Sequence, residues 1–548
     1  MKRLVWLRIA AAVASGLMVA GIFPPFDFSA LVWVAMMPLL WALSGVQGKR
    51  RGWKGFAIGY LAGAVSCLIQ FNWVNSVSWL GALLLPLYLA VYWGLFGCLA
   101  VAILRPGTRS SWRTAFGLAA AWVALEWLRG WMLTGFSWNV MGVAFHEMRV
   151  LAQAADLFGV LGLSLAIVFF QALLVQAAQE KSARLKSLGA AAVLVLALFG
   201  YGKIRISIEE NAESVRLKTL LVQLNIPQEA GRVLWTDLET HQAYEDETLK
   251  GLNALKSADG SLSPKWPDWV MWPECALTGR ILFTAAGETA MWQINHDTIS
   301  QVREAGPFSL IYGVNEQEAE KDGDILAPMQ RGRVYNSIAV MSPENILQTY
   351  RKQHLVIFGE TIPFVDSVPW LKRIYEQQAG AEYYGSFAEG ESLEPLPLLA
   401  GKTTIGAIPT VCFEDSVPRL TRKFTRPGPQ VIINVTNDGW FKQSAAAAQH
   451  FAYARFRAIE LRRPMLRSAN TGVSAAIDST GSTAHPDTGM PQVLVDAEGS
   501  HFTRASLLTE LNVPLRPSFS LYERIGDLGI LGLLVLAVVL TCRERKCT

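Results

Sequence analysis

Seven apolar runs crowd the first 201 residues, and one more stands alone near the C-terminus. They cover residues 5–23, 28–43, 55–74, 80–104, 115–133, 158–178, 188–201 and 525–542. A helix needs about 20 mostly apolar residues to cross a bilayer, and most of these runs approach that length. The second and seventh are short, so the pattern predicts about eight spans. Composition points the same way: 51% of residues are hydrophobic and only 17% charged, against about 25% charged in an ordinary soluble domain. Many of the 19 Trp fall where membrane interfaces would lie. The small residues at 11–16 also suit a cleavable signal peptide, but further spans follow at once.

The loop charges give an independent reading. Lys49, Arg50, Arg51 and Lys54 lie between the second and third runs, Arg105, Arg109 and Arg113 between the fourth and fifth. Lys181, Arg184 and Lys186 lie between the sixth and seventh, and Arg543, Arg545 and Lys546 in the tail. The alternate loops around Pro24-Pro25 and 75–78 carry no Lys or Arg, and 134–157 carries only Arg149. By the positive-inside rule both termini and the basic loops are cytoplasmic, and residues 203–524 lie outside the cytoplasm. Within the fifth run, Glu126 and Arg129 are one turn apart and suit either a functional pair or a structural one. Gln70 and Asn72 suit interhelical hydrogen bonds. This is too little polar lining for a channel or transporter.

A net charge of +4 gives no general nucleic-acid-binding surface. Cys67, Cys98, Cys275, Cys412, Cys542 and Cys547 form no CxxC pair and no Cys/His ligand spacing, so neither a zinc site nor a disulfide framework is indicated.

From Val215 the texture changes. Short apolar strands are predicted at 218–224, 269–272, 309–314, 337–341, 403–411 and 431–436, with amphipathic helices at 237–256 and 445–462, the latter ended by Pro464. Strands alternating with helices predict an α/β domain. The domain boundaries read as 1–203 for the membrane part, 215–512 for the α/β part and 525–542 for a final span. Residues 366–391 read as a long excursion suited to a lid.

Three reactive side chains directly follow apolar runs in the α/β part. Cys412 follows 403–411 and precedes a helix-like segment, where a helix dipole would favour the thiolate; a lone Cys there equally suits an inert core thiol. Glu274 ends Trp-Val-Met-Trp-Pro-Glu, where a carboxylate is costly unless paired or used; it suits a general base or a structural ion pair. Lys352 suits an oxyanion donor or an ordinary surface lysine.

Taken together, the order Glu, Lys, Cys resembles the nitrilase superfamily. The words Trp272-Pro273-Glu274, Lys352-x-His354-Leu355-Val356-x-Phe358-Gly359-Glu360 and Cys412-Phe413-Glu414 resemble its membrane-anchored branch, the apolipoprotein N-acyltransferases. So do Asn437-Asp438-Gly439-Trp440-Phe441, Arg457-Ala458-Ile459-Glu460-x-x-Arg463-Pro464, Asn470-Thr471-Gly472 and Tyr522-x-Arg524-x-Gly526-Asp527. The likeness spans essentially the whole chain. Ile357 stands where the family often has Pro, Phe413 where it often has Tyr, and Cys275 is unusual after the Glu. Outside the cytoplasm Cys275 could oxidise against Cys412 if the two came close.

The resemblance implies an α-β-β-α sandwich mounted on a polytopic membrane bundle in the bacterial inner membrane, with the catalytic domain periplasmic. It implies a ping-pong acyltransferase without metal or cofactor. Glu274 would be the base, Cys412 the nucleophile, and Lys352 with the backbone N–H of Phe413 the oxyanion donors. Glu360 and Glu414 would support Lys352, and Trp440 and Trp235 would contact substrate. A phospholipid would give its acyl chain to the N-terminal amine of an S-diacylglyceryl apolipoprotein. A membrane-tethered amidase or nitrilase is the alternative with the same triad, and a non-catalytic membrane scaffold or transporter accessory the reading from another class.

Overall fold

The computed structural model describes residues 2–104, 112–229, 232–257, 261–357, 359–362, 370, 372–373, 376 and 385–546. The chain divides into two compact units, Met1–Glu210 with Ser520–Thr548, and Asn211–Phe519. Most of the 366–391 excursion, and Arg105 and Arg109 of the second basic loop, lie outside the described residues.

In the first unit five helices among the described residues are long and apolar enough to cross a membrane: Lys2–Gly21, Arg51–Gln70, Trp79–Ile103, Ala155–Gln179 and Arg184–Glu210. Shorter apolar stretches cover Ser29–Ser44 and Asp527–Cys542, and the run at 115–133 forms the helix Trp112–Arg129. The run at 28–43 is broken into a 3-10 turn, Ser29–Trp33, and a helix, Met37–Ser44. Pro38 sits in the first turn of that helix, where its missing N–H does no harm but where it ends any helix arriving from before. Gln171 closes the gap: its Oε1 accepts from Met36 N at 2.6 Å and its Nε2 donates to the Val32 carbonyl at 2.8 Å. In lipid such backbone groups need a protein partner.

The helices Arg51–Gln70 and Trp79–Ile103 meet through small residues. A Cβ on Gly55, Gly59 or Gly63 would collide with the backbone of Gly97, the backbone of Trp93 or the Trp93 ring. Without a hydrophobic drive between helices in lipid, such close approach is what adds packing energy. Glu126 and Arg129 are both buried, and their hydrogen bonds go elsewhere than to each other. Glu126 Oε1 accepts from Trp122 Nε1 at 2.8 Å and Met141 N at 2.7 Å, while Arg129 Nη2 donates to the Trp138 carbonyl at 2.9 Å. Both therefore fasten the 138–141 segment to their helix. Gln70 likewise bonds Asn139.

The second unit holds two mixed sheets. In the first, the strands run in the order Leu347–Arg351, Val334–Met341, Ser309–Asp322, Trp269–Met271, Ser214–Gln223, Ala505–Pro514. In the second the order is Leu396–Ala400, Thr403–Val411, Gln430–Thr436, Met465–Ala469, Ala475–Ile477. The central pairs of both are parallel. Alternation along each strand sorts side chains to two cores. Leu217, Leu221, Trp269 and Met271 face residues of the second sheet such as Ile408, Val411 and Ile433. Leu220, Val222, Val270 and Trp272 face Tyr244 and Leu252 of the helix Asp237–Asn253 and Ile299 and Val302 of Gln293–Arg303.

The predicted elements are present with shifted ends. The first helix starts where expected because Thr236 and Glu239 form a reciprocal capping box. The second, Ala445–Leu461, stops at Arg462, whose φ of 52° places it in the left-handed region before Pro464.

Candidate active site

The reactive residues sit at or just beyond the C-terminal ends of strands, two of them parallel strands. Trp269–Met271 leads to Glu274, Thr403–Val411 directly to Cys412, and the antiparallel strand Leu347–Arg351 directly to Lys352. Crevices outside the carboxyl ends of parallel strands are where α/β sheets place ligands. Cys412 has a φ of 52°. A non-glycine residue in this conformation carries strain of about 1–3 kcal/mol that surrounding structure must hold, and such strain clusters at active sites. Gly313 lets the Glu274 turn lie flat on its neighbouring strand: a Cβ there would stand 2.5 Å from Glu274 Cα and 2.6 Å from Cys275 N.

Lys352 is 1% exposed and lies between two carboxylates. Its Nζ is 2.8 Å from Glu360 Oε2 and 3.8 Å from Glu274 Oε1. The ammonium is thus held by Glu360, which leaves Glu274 open toward the thiol. Burial opposes the charge on Lys352, but Glu360 and Glu274 outweigh it and lift its pKa above the usual lysine value. Glu360 is held below the usual carboxylate range: Lys352 and its hydrogen bonds overcome the cost of burial. Glu274 goes the other way. Burial, with the Glu360 charge adding to it, raises its pKa despite Lys352.

The thiol departs from expectation. The sequence predicts a thiolate favoured by a helix dipole at Cys412; instead the Cys412 pKa lies well above the usual thiol value. Its surroundings desolvate the sulfur although the residue keeps some exposure, and the Glu274 charge adds to the effect. The segment beginning at Cys412 is only a 3-10 turn, Cys412–Ser416, too short to supply a dipole. At rest the proton therefore stays on sulfur, beside a carboxylate that is itself a stronger base than usual.

Glu414 does not touch the Lys352 ammonium. Its carboxylate accepts from Gln353 N at 2.7 Å, His354 N at 2.9 Å, Val411 N at 2.8 Å and Tyr350 Oη at 3.1 Å. It ties the chain around Lys352 to the chain entering Cys412. Burial still pushes its pKa up. The two supporting carboxylates thus divide the work: Glu360 holds the charge and Glu414 holds the backbone. Phe413 packs against the inter-sheet core, with its ring stacked on His354 at 5.9 Å between centroids. Burial and the nearby Arg419 and Lys352 charges lower the His354 pKa to about 4, so that ring is neutral at pH 7.

Trp440 is half-buried on the turn Asp438–Phe441, next to the end of Gln430–Thr436. Trp235 precedes the helix Asp237–Asn253 and packs against the helix-side core, the cluster that also holds Trp272 and Ala276 on either side of Glu274. Cys275 also has a φ of 52° and is exposed. Among the described residues no cluster of three or more His, Cys, Asp and Glu is placed to hold a metal ion. An open cleft of about 800 Å³ lies elsewhere, lined by residues such as Trp292, Lys321 and Ile325, and none of the reactive groups borders it.

Sequence reading missed Asn336. Its Nδ2 donates to Glu274 Oε1 and to Glu360 Oε1, both at 2.8 Å, and its carbonyl accepts from Lys352 N at 2.8 Å. It lies mid-strand in Val334–Met341, where an Asn has no local signature. Only the pairing with both neighbouring strands brings it between the two carboxylates. A hydrogen bond to a charged group contributes about 1.5–3 kcal/mol. If Cys412 is acylated as the resemblance implies, Asn336→Leu is therefore expected to slow that step by about 10–100-fold, each 1.4 kcal/mol being about tenfold in rate. Wild-type rates in single-turnover acylation assays of this variant would remove Asn336 from the site's machinery.

Comparison with known proteins agrees over most of the chain. Residues 15–173 match the family described as apolipoprotein N-acyltransferase N-terminal domain, and residues 264–495 match the carbon-nitrogen hydrolase family. The apolipoprotein N-acyltransferase of Bradyrhizobium diazoefficiens is 30% identical, over 98% of this chain and 95% of that protein. That of Allorhizobium ampelinum is 32% identical, over 87% of each chain.

Proposed function

The chain belongs to the apolipoprotein N-acyltransferase family, and from that premise we propose that it moves a fatty acyl chain from a membrane phospholipid, through a thioester on Cys412, to the N-terminal amine of a diacylglyceryl-cysteine lipoprotein. The observation that carries this reading is the meeting of a partly exposed thiol, a carboxylate of raised proton affinity and a buried ammonium at the strand ends of one domain.

In the first half-reaction Glu274 takes the Cys412 proton as sulfur attacks the ester carbonyl. The oxyanion forms against Lys352 and the Phe413 backbone N–H. The C–O bond then breaks, and the proton held by Glu274 passes to the departing lysophospholipid oxygen. In the second half-reaction the lipoprotein amine attacks the thioester and Glu274 takes a proton from nitrogen; the C–S bond then breaks and Glu274 returns that proton to sulfur, so the amide forms and thiol and base are both restored. Ester, thioester and amide succeed one another by direct acyl exchange, so no ATP is needed. The membrane part takes eight crossings in this reading, with both termini cytoplasmic and an α-β-β-α catalytic domain outside the cytoplasm. Both substrates stay in the bilayer, and a site tied to it at both chain ends receives them laterally.

Mass spectrometry of the full-length protein incubated with labelled phospholipid tests the donor step: a fatty-acyl adduct on Cys412 is expected. Addition of diacylglyceryl peptide should discharge it to amide, and water alone should not. Equal discharge by water would make the protein a hydrolase. Lys352→Ala is expected to lower the acylation rate by about 10²–10³, as loss of one oxyanion donor does. Unchanged single-turnover rates would mean that Lys352 has another task.

A further inference from the structure

Behind the nucleophile lies a closed group of four ionisable side chains that takes no part in the acyl-transfer steps. Asp415 comes from the Cys412–Ser416 turn, Asp438 from the Asp438–Phe441 turn, His450 from the helix Ala445–Leu461 and Arg467 from the strand Met465–Ala469. None is more than 2% exposed. His450 Nε2 is 2.8 Å from Asp415 Oδ1, and its Nδ1 is 2.8 Å from Asp438 Oδ1. Arg467 repeats the bridge, with Nη1 at 2.6 Å from Asp415 Oδ2 and Nη2 at 3.1 Å from Asp438 Oδ2. The same Nη1 donates to Asn434 Oδ1 at 2.9 Å, and Asn434 Nδ2 donates to the Cys412 carbonyl at 3.1 Å. Gly472, with φ at 126°, lies so close to Asp438 that a Cβ would stand 2.5 Å from its Oδ2.

With a carboxylate oxygen 2.8 Å from each nitrogen, the imidazole donates from both when it carries a positive charge, and Arg467 Nη2, a donor only, lies 3.0 Å from Nδ1 against that charge. Burial and Arg467 work against that charge, but Asp415 and Asp438 outweigh them and raise the His450 pKa to about 9. Two anions and two cations then balance, which is the condition for keeping such a group out of water. Asp415 is three residues beyond Cys412, and Asp438 is two before Trp440. We propose that His450 is a positioning residue for acyl transfer: one ring fixes the nucleophile's turn to the turn that bears Trp440, and so sets the geometry in which the thiol meets the acyl group. This rests on the acyltransferase reading.

The other groups facing the quartet sharpen the expectation. Both Cys412 and His501 sense the Asp438 charge: after burial and Glu274 it adds a smaller push upward to the Cys412 pKa, and it opposes the burial that lowers the pKa of His501. A neutral His450 leaves one net negative charge beside the sulfur and disfavours the thiolate. Because the folded pKa lies above the ordinary value of about 6.5, the ring's contribution to stability is complete below that pH and is lost as pH rises through about 9.

The test uses the full-length protein in detergent micelles. Phospholipid acylation of Cys412 and iodoacetamide alkylation of the same residue are followed by peptide mass spectrometry between about pH 6.5 and 10. Wild-type acylation is expected to fall as pH passes about 9. His450→Gln is expected to melt cooperatively, to lose about 10²-fold in acylation rate, as small misplacements of reacting groups do, and to lack the alkaline fall. Its KM for phospholipid should stay within about twofold, since ground-state binding is not what the ring supplies. Adding Asp438→Asn to His450→Gln restores neutrality and should recover part of the alkylation rate. Wild-type turnover in His450→Gln, or a wild-type profile that keeps rising past pH 9, overturns the proposal; the second result needs no variant to fold. Iodoacetamide needs no lipid. A slower alkylation in His450→Gln that Asp438→Asn does not fully restore would therefore support the ring's positioning role, beyond its charge, even if phospholipid acylated neither protein, a result that would count against the acyltransferase reading alone.

Discussion

Replacing Cys412 with Ala or Ser is expected to abolish acyl transfer, with a loss in kcat on the order of 10⁶ as for other nucleophile knockouts. The Ala variant has no atom to carry the acyl group. The Ser variant keeps the volume but not the chemistry: a hydroxyl holds its proton far more tightly than a thiol, and a single carboxylate with a raised pKa is still too weak a base to share it. The lesion should leave the fold intact. The residue's backbone is fixed from outside, by Asn434 on its carbonyl and by Glu414 on the preceding N–H. A cooperative melt close to that of the wild type, with no acyl adduct by mass spectrometry and no N-acylated lipopeptide, is the expected pair of results. Persistent transfer in the Ala variant would sink the thioester mechanism.

Glu274→Gln is expected to slow thioester formation by about 10²–10⁴, the usual contribution of a positioned general base. The sign of the pH dependence comes from the site's electrostatics. Burial and the Glu360 charge raise the pKa of Glu274 against the pull of Lys352. The wild-type acylation rate should therefore fall with decreasing pH at a value above the ordinary carboxylate range, because the protonated acid cannot accept the thiol's proton. In the Gln variant that acid limb should vanish and leave a slow, flat profile. Gln preserves an acceptor for the Asn336 amide, so lost rate is not confused with lost packing. A variant that kept the acid limb would assign it to another group, and Glu360, which pairs with Lys352 at 2.8 Å, would be the next to replace.

The two supporting carboxylates illustrate how far the amino-acid order reaches. Their positions are legible in the words Lys352-x-His354 through Glu360 and Cys412-Phe413-Glu414. Their separate tasks are not, because a carboxylate's work depends on which donors reach it. Four donors converge on Glu414 from two strand ends, and the Lys352 ammonium reaches Glu360 instead. Asn336 and His450 are silent in the sequence for the same reason. Each sits in an unremarkable stretch, and the contacts that matter are to residues 12 to 62 positions away in the chain. The break at Ser29–Ser44 shows the limit in the membrane part: an apolar run predicts burial in lipid, while the continuity of its helix depends on a proline and on a glutamine from another helix.

The sequence by itself determined the division into an apolar and an α/β part, the alternation that gives each strand two faces, and the reactive side chains at strand ends. These are local properties: hydropathy, period and chain order are complete within a few residues. Only the tertiary structure decided the protonation of the thiol and the partners of Lys352, Glu274 and His450. Proton affinity depends on charges and desolvation within a few ångströms, and those neighbours are assembled from strands and turns up to 138 positions apart, as Glu274 and Cys412 are.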